Sequence, residues 1–374
     1  MASNGRRTAL VTGATGLLGR EITAAFRQSP KWNVKGTGYS RADGVDILKV
    51  NLENEDLNEL NTVLDETQPH VIVHSAAQRF PDRVDKDPEG ARSLNIAASR
   101  RLAQVALSRD ILLIYISTDY VFPGIPGDAP YEADATPKPT NLYGQTKFDG
   151  ERAILEEAAK VGKPGSAIVL RVPVLYGHAE TPAESAVNVL MDSVWKAQTE
   201  GANIKMDHWA VRYPTNTEDI GRVCRGMFQV LIIPTTHMAR FKQYTANFNC
   251  ALYDLVHDPK RVFVNMATKE FFPDMAAKYL DANGPDHRKA LPSILQFSSE
   301  DKMTKYEICQ LFGKIMGLDT SNIEANTQGN DPNAAVQRPY DCHLSTKALQ
   351  DLGIDISTCN FVDWWRREIR AFSK

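Results

Sequence analysis

The chain has no run of 18 apolar residues, no excess of positive charge and no paired cysteines, and each absence removes a class of function. Without a long apolar run, no segment reads as a membrane-spanning helix. Forty-three Lys and Arg against 46 Asp and Glu leave a formal net charge of −3. No basic field is therefore present to hold nucleic acid or an anionic membrane surface. The five cysteines (Cys224, Cys250, Cys309, Cys342 and Cys359) are odd in number and form no C-x-x-C pair, which argues against both a disulfide frame and a zinc cage. They read as ordinary reduced thiols. The eight histidines are scattered along the chain, so a metal centre has little support. No signal-peptide core precedes the first apolar strand, and the expectation is a cytoplasmic protein.

What the chain does contain is enough apolar material for a large core. Its 374 residues are 43% hydrophobic and 24% charged, ordinary for a soluble protein of one large domain or two. The most informative stretch lies near the N-terminus. Thr8-Ala9-Leu10-Val11 reads as an apolar strand, Gly13-Ala14-Thr15-Gly16-Leu17-Leu18-Gly19 as a glycine-rich turn, and Leu18, Ile22, Ala25 and Phe26 follow at helical spacing. Strand, tight turn and helix in that order let backbone N–H groups and a helix N-terminus approach a pyrophosphate. The glycines stand where a Cβ would block the turn or the ligand. Their spacing, Gly-x-x-Gly-x-x-Gly, differs by one residue from the dinucleotide fingerprint.

A second strand, Asn33 to Ser40, ends where a dinucleotide domain meets the adenosine ribose. An NAD-selective site places an acid there to accept from the 2′-hydroxyl. This chain has Tyr39, Ser40 and Arg41, a cation without an acid, which suits the 2′-phosphate of NADP; Asp43 and Asp46 stand close enough to keep NAD open. A third strand is expected over Val45 to Leu52, containing Asn51, and a helix over Asp56 to Asp65. The next strand, His70 to Ala77, ends in the small residues Ser75, Ala76 and Ala77, which let a cofactor lie against the sheet. His74 within it reads as a satisfied interior histidine. A helix from about Glu89 to Ser108, with Asn95 in its interior, leads to a fifth strand, Ile111 to Ile116, that runs into Ser117-Thr118-Asp119-Tyr120. Alternation of strands and helices over residues 7–175 predicts an α/β fold with a doubly wound parallel sheet. Chemistry is then expected at the C-terminal strand ends.

Thr118 stands at such an end. Asn141-Leu142-Tyr143-Gly144-Gln145-Thr146-Lys147 enters a further helix, where Tyr143 and Lys147, four apart, share one face. A lysine so placed can reach a nicotinamide ribose, and its charge is expected to favour phenolate and lower the tyrosine's pKa from its ordinary value near 10.

With these residues in place the chain resembles the extended short-chain dehydrogenase/reductase superfamily. Gly13-x-x-Gly16-x-x-Gly19 matches its cofactor turn, Thr118 its Ser/Thr, and Tyr143 with Lys147 its catalytic pair. Ser117 to Phe122, Leu170 to Gly177, Arg212-Tyr213-Pro214-Thr215 with Asp219-Ile220, and Gln337-Arg338-Pro339 look like its dTDP-4-dehydrorhamnose reductase branch. Within that branch, His70 to Ala77, Asn141 to Gly150, Met206 to Trp209 and Lys302 to Glu307 are similar to the regulatory (beta) subunits of methionine adenosyltransferase.

The resemblance implies a Rossmann-type domain over 6–177, with 214–226 returning to it, and a smaller α/β substrate-type domain from 178–213 and 290–374. It implies NADP as cofactor, NAD being the less favoured choice on the Arg41 reading, and the scattered histidines give no metal. The candidate cofactor residues are Gly13, Thr15, Gly16, Leu17, Leu18, Gly19, Ser40, Arg41, Asn51, Leu52, Ser75, Ala76, Ala77, Asn95, Tyr143, Lys147, Arg171 and Pro173; Thr118, Tyr143 and Lys147 are the candidate catalytic set. In the reductase branch NADPH reduces a nucleotide-linked 4-keto sugar while the tyrosine protonates the oxygen. In the regulatory branch the same frame binds NADP and attaches to the catalytic subunit that makes S-adenosylmethionine. The expected function is the regulatory one, with an NADPH-dependent reductase as the alternative. Arg171, Arg212 and Arg338 are candidate cations for a substrate diphosphate or structural partners of carboxylates, and they form no basic cluster in the sequence.

Two stretches stand apart. From Met227 to about Asp286 the chain departs from the family pattern, and six of its fourteen phenylalanines fall between Phe228 and Phe272, too many for a plain solvated linker. Near the C-terminus, Phe361 to Phe372 is amphipathic, with Trp364-Trp365 beside several arginines. It reads as a final helix packing its tryptophans on the smaller domain, or as an interface.

Overall fold

The computed structural model describes residues 6–231, 292–331, 333 and 336–370. A seven-stranded parallel sheet in the order 10-6-5-4-1-2-3 forms its centre. The strands are β1 (Arg7–Thr12), β2 (Trp32–Gly38), β3 (Ile47–Lys49), β4 (Val71–His74), β5 (Leu112–Thr118), β6 (Ala167–Val172) and β10 (Ile294–Gln296). Successive side chains of a strand point to opposite faces, and both faces here are covered. Ala9, Val11, Val71, Val73, Leu112 and Ile114 pack with α1 (Leu17–Arg27) and α8 (Thr217–Leu231) through Ile22, Phe26, Ile220, Val223 and Phe228. Leu10, Ile72, Leu113 and Tyr115 face the other way, onto α2 (Asn58–Thr67), α5 (Ser99–Ser108) and α6 (Leu142–Lys160). The result is the three-layered, Rossmann-like arrangement that near-continuous apolar strands require.

The expected elements are present with changed bounds. The third strand shrinks to Ile47–Lys49 because Asp43 draws the preceding loop around itself: its Oδ1 accepts from the amides of Val45, Asp46 and Ile47 at 2.8, 2.9 and 2.8 Å. The single helix expected from Glu89 to Ser108 is three pieces, α4 (Pro88–Arg92), a π-helical turn over Ser93–Ala98, and α5. A short α3 (Pro81–Lys86) precedes them.

The residue ranges assigned to the smaller unit need one correction. Ile294–Gln296 is the edge strand of the main sheet, paired in parallel with Val169–Arg171. Leu349, Leu352 and Ile354 join the core that the sheet shares with α1 and α8. Apolar side chains at those positions find their partners on the large sheet, so the chain meets it at these two places in addition to α8.

The smaller unit is built on the parallel pair β8 (Ile204–Asp207) and β11 (Ile323–Asn326), with α7 (Leu190–Thr199), α9 (Lys305–Met316) and the helix Phe361–Glu368. Trp364 and Trp365 are buried against Tyr176, and Trp365 also packs on Phe312. The tryptophan pair therefore belongs to a core. A further pair, β7 (Leu175–Tyr176) with β9 (Thr215–Asn216), bridges the two units. Of the stretch beginning at Met227, residues up to Leu231 complete α8 and those from 232 to 286 lie outside the described residues.

Candidate functional site

At the C-terminal ends of β1, β2, β4, β5 and β6 lies a cavity of about 490 Å³, within the range that small-molecule and cofactor sites occupy. Its floor is the glycine turn. Gly13 adopts φ +66°, open to glycine at little cost, and an added Cβ there would come within 2.9 Å of Ala76. At Gly19 a Cβ would stand 2.1 Å from the Gly13 carbonyl oxygen, a closer approach than any side chain allows. Gly16 is the N-cap of α1 and supplies no side-chain cap, so the first amides of that helix are left for an outside acceptor. A backbone cradle closed to Cβ atoms, at the positive end of a helix, fits a pyrophosphate.

Gly13, Thr15, Gly16, Leu17, Leu18 and Gly19 line this end of the cavity; Ser40, Arg41, Asn51 and Leu52 line the β2 side; Ser75, Ala76, Ala77 and Pro173 form a wall. Both acids that left NAD open are engaged elsewhere. Asp43 caps its own loop, and Asp46 pairs with Arg27 at 3.0 Å and Lys35 at 3.4 Å. Arg41 is the charged group of that segment which faces the cavity.

Thr118, Tyr143 and Lys147 meet at the opposite end. Thr118 reaches the Tyr143 phenol, and its hydroxyl also donates to Asp119 Oδ1 at 3.0 Å. Lys147 is buried, donates from Nζ to the Ile116 carbonyl at 2.8 Å and sits 4.0 Å from the centre of the Tyr115 ring. The expected lowering of the tyrosine is not what this geometry produces. Burial pushes the Tyr143 phenol well above its ordinary value, and burial, opposed only by the Glu151 charge, holds the Lys147 ammonium down to about 7. Desolvation outweighs the attraction that the four-residue spacing suggested. Asp119 is likewise buried, and its carboxyl rises to about 7 despite the Thr118 hydrogen bond and the Arg212 charge.

Residues 7–278 match the RmlD substrate binding domain family. Over 348 residues the chain is 34% identical to methionine adenosyltransferase 2 subunit beta of Pongo abelii, covering 93% of this chain and 83% of that one. Over 367 residues it is 36% identical to the protein of the same name in Danio rerio, covering 98% and 91%. The chain belongs to the methionine adenosyltransferase 2 beta-subunit family. Its fold is also that of the dTDP-4-dehydrorhamnose reductase of Bacillus anthracis, solved in complex with NADP, with a TM-score of 0.65 at 17% identity over 99% of each chain.

In this beta-subunit family member two of the candidate residues stand outside the cavity. Asn95 is fully buried in the π-helical turn. Its Oδ1 accepts from the Gln78 amide at 2.8 Å, while Nδ2 donates to the Gln78 carbonyl and to Thr146 Oγ1, both at 3.1 Å. It fixes the chain beyond the Ser75–Ala77 wall and ties it to α6. The extra residue of the π-turn aims Asn95 at that loop, a use to which such turns are often put. Arg171 is also fully buried and is spent on Glu151, with Nε to Oε1 at 3.0 Å and Nη2 to Oε2 at 2.8 Å, while Ser117 Oγ donates to the same carboxylate at 2.5 Å. Glu151 lies one turn beyond Lys147 on α6, so Tyr143, Lys147 and Glu151 form one row.

His74 accepts or donates between Thr12 Oγ1 at 2.6 Å and Ser99 Oγ at 3.0 Å, and burial lowers it to about 3, with Lys147 adding to the effect. It is a satisfied core histidine. His70 stands four residues earlier, a spacing that on a helix could serve a metal. Here it directly precedes β4, and its Nδ1 accepts from the Thr8 amide at 3.1 Å. Among the described residues no group of three His, Cys, Asp or Glu could hold a metal ion, and no helix is long and apolar enough to cross a membrane.

The fold does assemble a basic cluster that the sequence hid. Lys305 at the start of α9 is held down to about 8 by burial and by the neighbouring charges of Arg212 and Arg338. Arg212 is buried beside Tyr120 and Asp119, which line the cavity, and its Nη2 has no hydrogen-bond partner among the described residues, with Asp207 Oδ2 3.8 Å away. Arg338 crosses to Asp82 of α3 at 3.2 Å. These three cations come from positions 212, 305 and 338, and nothing but tertiary structure relates them.

Proposed function

We propose that the chain is a cytoplasmic, NADP-binding regulatory subunit of methionine adenosyltransferase that modulates S-adenosylmethionine synthesis by attaching to the catalytic subunit. The observation that carries this reading is kinship along nearly the whole chain with proteins bearing the beta-subunit name. NADP is preferred because Arg41 faces the cavity while Asp43 and Asp46 are committed to the loop and to Arg27 and Lys35. In the bound state the α1 amides and the glycine turn hold the pyrophosphate, Arg41 the 2′-phosphate, and Lys147 the nicotinamide ribose. The test is co-purification with the catalytic subunit of the same organism, with and without NADP, together with the rate of S-adenosylmethionine formation. Absence of a complex at micromolar concentrations refutes the reading.

One arrangement favours a second reading, an NADPH-dependent reductase of a nucleotide-linked 4-keto sugar. Thr118, Tyr143 and Lys147 stand together, and the Arg212, Lys305 and Arg338 cluster adjoins them through Tyr120 and Asp119. Bound NADPH would supply the hydride. Tyr143, protonated because burial raises its phenol, would hold a proton for a carbonyl oxygen, and Thr118 would orient that oxygen. NADPH oxidation with such a sugar should then vanish in Tyr143→Phe, and an unchanged rate removes this reading.

A further inference from the structure

Arg41 does not face the nucleotide cavity unpaired. Segment 178–184, which follows β7, crosses to the glycine turn and brings two carboxylates with it. Glu180 pairs with Arg41 Nη1, and Glu184 Oε1 lies 3.3 Å from the same nitrogen. Glu184 also accepts from Arg20 Nη2 at 2.6 Å, and its own backbone carbonyl accepts from Arg79. Arg20 and Arg41 both donate to the Thr15 carbonyl, at 2.7 and 2.6 Å, so the latch is fastened to the turn that cradles the pyrophosphate.

The two acids are not equivalent. Glu184 is mostly buried, 14% exposed, and is anchored by Arg20 and by the Glu180 amide at 3.0 Å. Glu180 is 57% exposed and holds its place by ion pairs with Arg41 and with Arg20, the latter at 3.4 Å. A side chain that exposed forms a pair of small net worth, easily exchanged for a stronger anion.

We propose that Glu180 sets the nucleotide specificity of the site: its carboxylate stands on Arg41 where a 2′-phosphate would sit, so a 2′-phosphorylated dinucleotide must displace it, and the unphosphorylated dinucleotide leaves segment 178–184 latched. This rests on the NADP reading given above. The same segment extends the effect beyond the cavity. The His178 carbonyl accepts from Arg20 at 3.1 Å, and its ring lies 2.9 Å from Glu368 and 3.3 Å from Glu218, against Trp364. Displacement of Glu180 removes two of the ion pairs on the segment that braces the helix Phe361–Glu368 against α8, while Glu184 keeps its own anchors on Arg20 and Arg79.

The test is the affinity of the full chain for NADPH and for NADH, by calorimetry or nicotinamide fluorescence, in wild type, Glu180→Gln and Arg41→Ala. Glu180→Gln keeps the size of the side chain and removes the competing charge. NADPH should bind about fivefold more tightly, and NADH should change by less than about twofold. Arg41→Ala should weaken NADPH selectively. If Arg41→Ala lowers the NADPH preference while Glu180→Gln leaves it unchanged, the competition proposed here is overturned and the NADP reading survives. If Arg41→Ala leaves the preference untouched, the NADP reading falls and this proposal with it. Both side chains are substantially exposed, 57% and 44%, and an unchanged melting temperature verifies that the variants are folded.

Discussion

Glu151→Gln isolates the buried pair beneath the site. Glu151 and Arg171 are each 1% exposed and meet through two hydrogen bonds of 3.0 and 2.8 Å, with Ser117 on the same carboxylate. Removing the negative charge leaves a guanidinium in the interior whose remaining partners are neutral oxygens of Ala133 at 3.3 Å and Gln296 at 3.4 Å. An uncompensated buried charge costs about 3–5 kcal/mol. The amide retains an oxygen that accepts one Arg171 N–H, which places the expected loss near 3 kcal/mol. The assay is urea unfolding, read as a shift in midpoint at unchanged slope. The double variant Glu151→Leu with Arg171→Met removes both charges and should be less damaging than Glu151→Gln alone. A second readout follows from the site: Glu151 supports the Lys147 ammonium, so Glu151→Gln should lower the Lys147 pKa further and weaken dinucleotide binding near neutral pH. A loss below about 1 kcal/mol in Glu151→Gln, or a double variant as damaging as the two single changes added together, refutes the assignment of Arg171 and Glu151 as a mutually compensating pair.

The glycines of the turn should separate folding from binding. Gly16→Ala meets only the Gly13 oxygen at 3.3 Å and should stay folded while losing dinucleotide affinity by at least about tenfold, whereas Gly19→Ala, at 2.1 Å, should lower the melting temperature as well. Equal melting temperatures for the two would contradict this. Asn95→Ala strips the Gln78 backbone of both its side-chain partners and should cost about 1–3 kcal/mol in unfolding free energy; a neutral result would mean that the π-turn is not what holds that loop. His74 has its folded pKa lowered to about 3 from an ordinary 6.5. The unfolded chain then binds the extra proton across that window, so stability falls as pH drops from about 6.5 toward about 3. His74→Gln should flatten that slope by close to one proton in denaturation midpoints measured against pH, and an unaltered slope would show that His74 is not its source.

Much of this molecule is legible in its sequence. The order of strands and helices, the glycine turn and the Tyr143-Lys147 face are local patterns of period 2 and 3.6, and local patterns survive in sequence. The features that are not local share a cause. Nothing in Ser93–Ala98 announces the π-turn that sets Asn95 on the Gln78 backbone, and the partner of Arg171, Glu151, is 20 residues away and visible only in three dimensions. The Tyr143 phenol moves opposite to the sequence argument because charge spacing is legible and burial is not. The Arg212, Lys305 and Arg338 cluster and the carboxylates on Arg41 are likewise products of chain crossings, and so is the return of Ile294–Gln296 to the main sheet.

That return has a consequence for how the protein is made. Until Ile294–Gln296 arrives, β6 is the outer strand of the sheet, a run from Ala167 to Val172 that is apolar except for Arg171, with one row of backbone groups unpaired. Its partner lies 125 residues further along, as Arg171 and Gln296 show. At about 5–20 residues per second on the ribosome, that edge stays open for roughly 6–25 seconds, long compared with local folding. An open apolar edge invites pairing with another chain. Yield during synthesis should therefore depend on whatever shelters β6 in that interval, and a truncation before residue 294 should aggregate even though every residue of the nucleotide cradle is present.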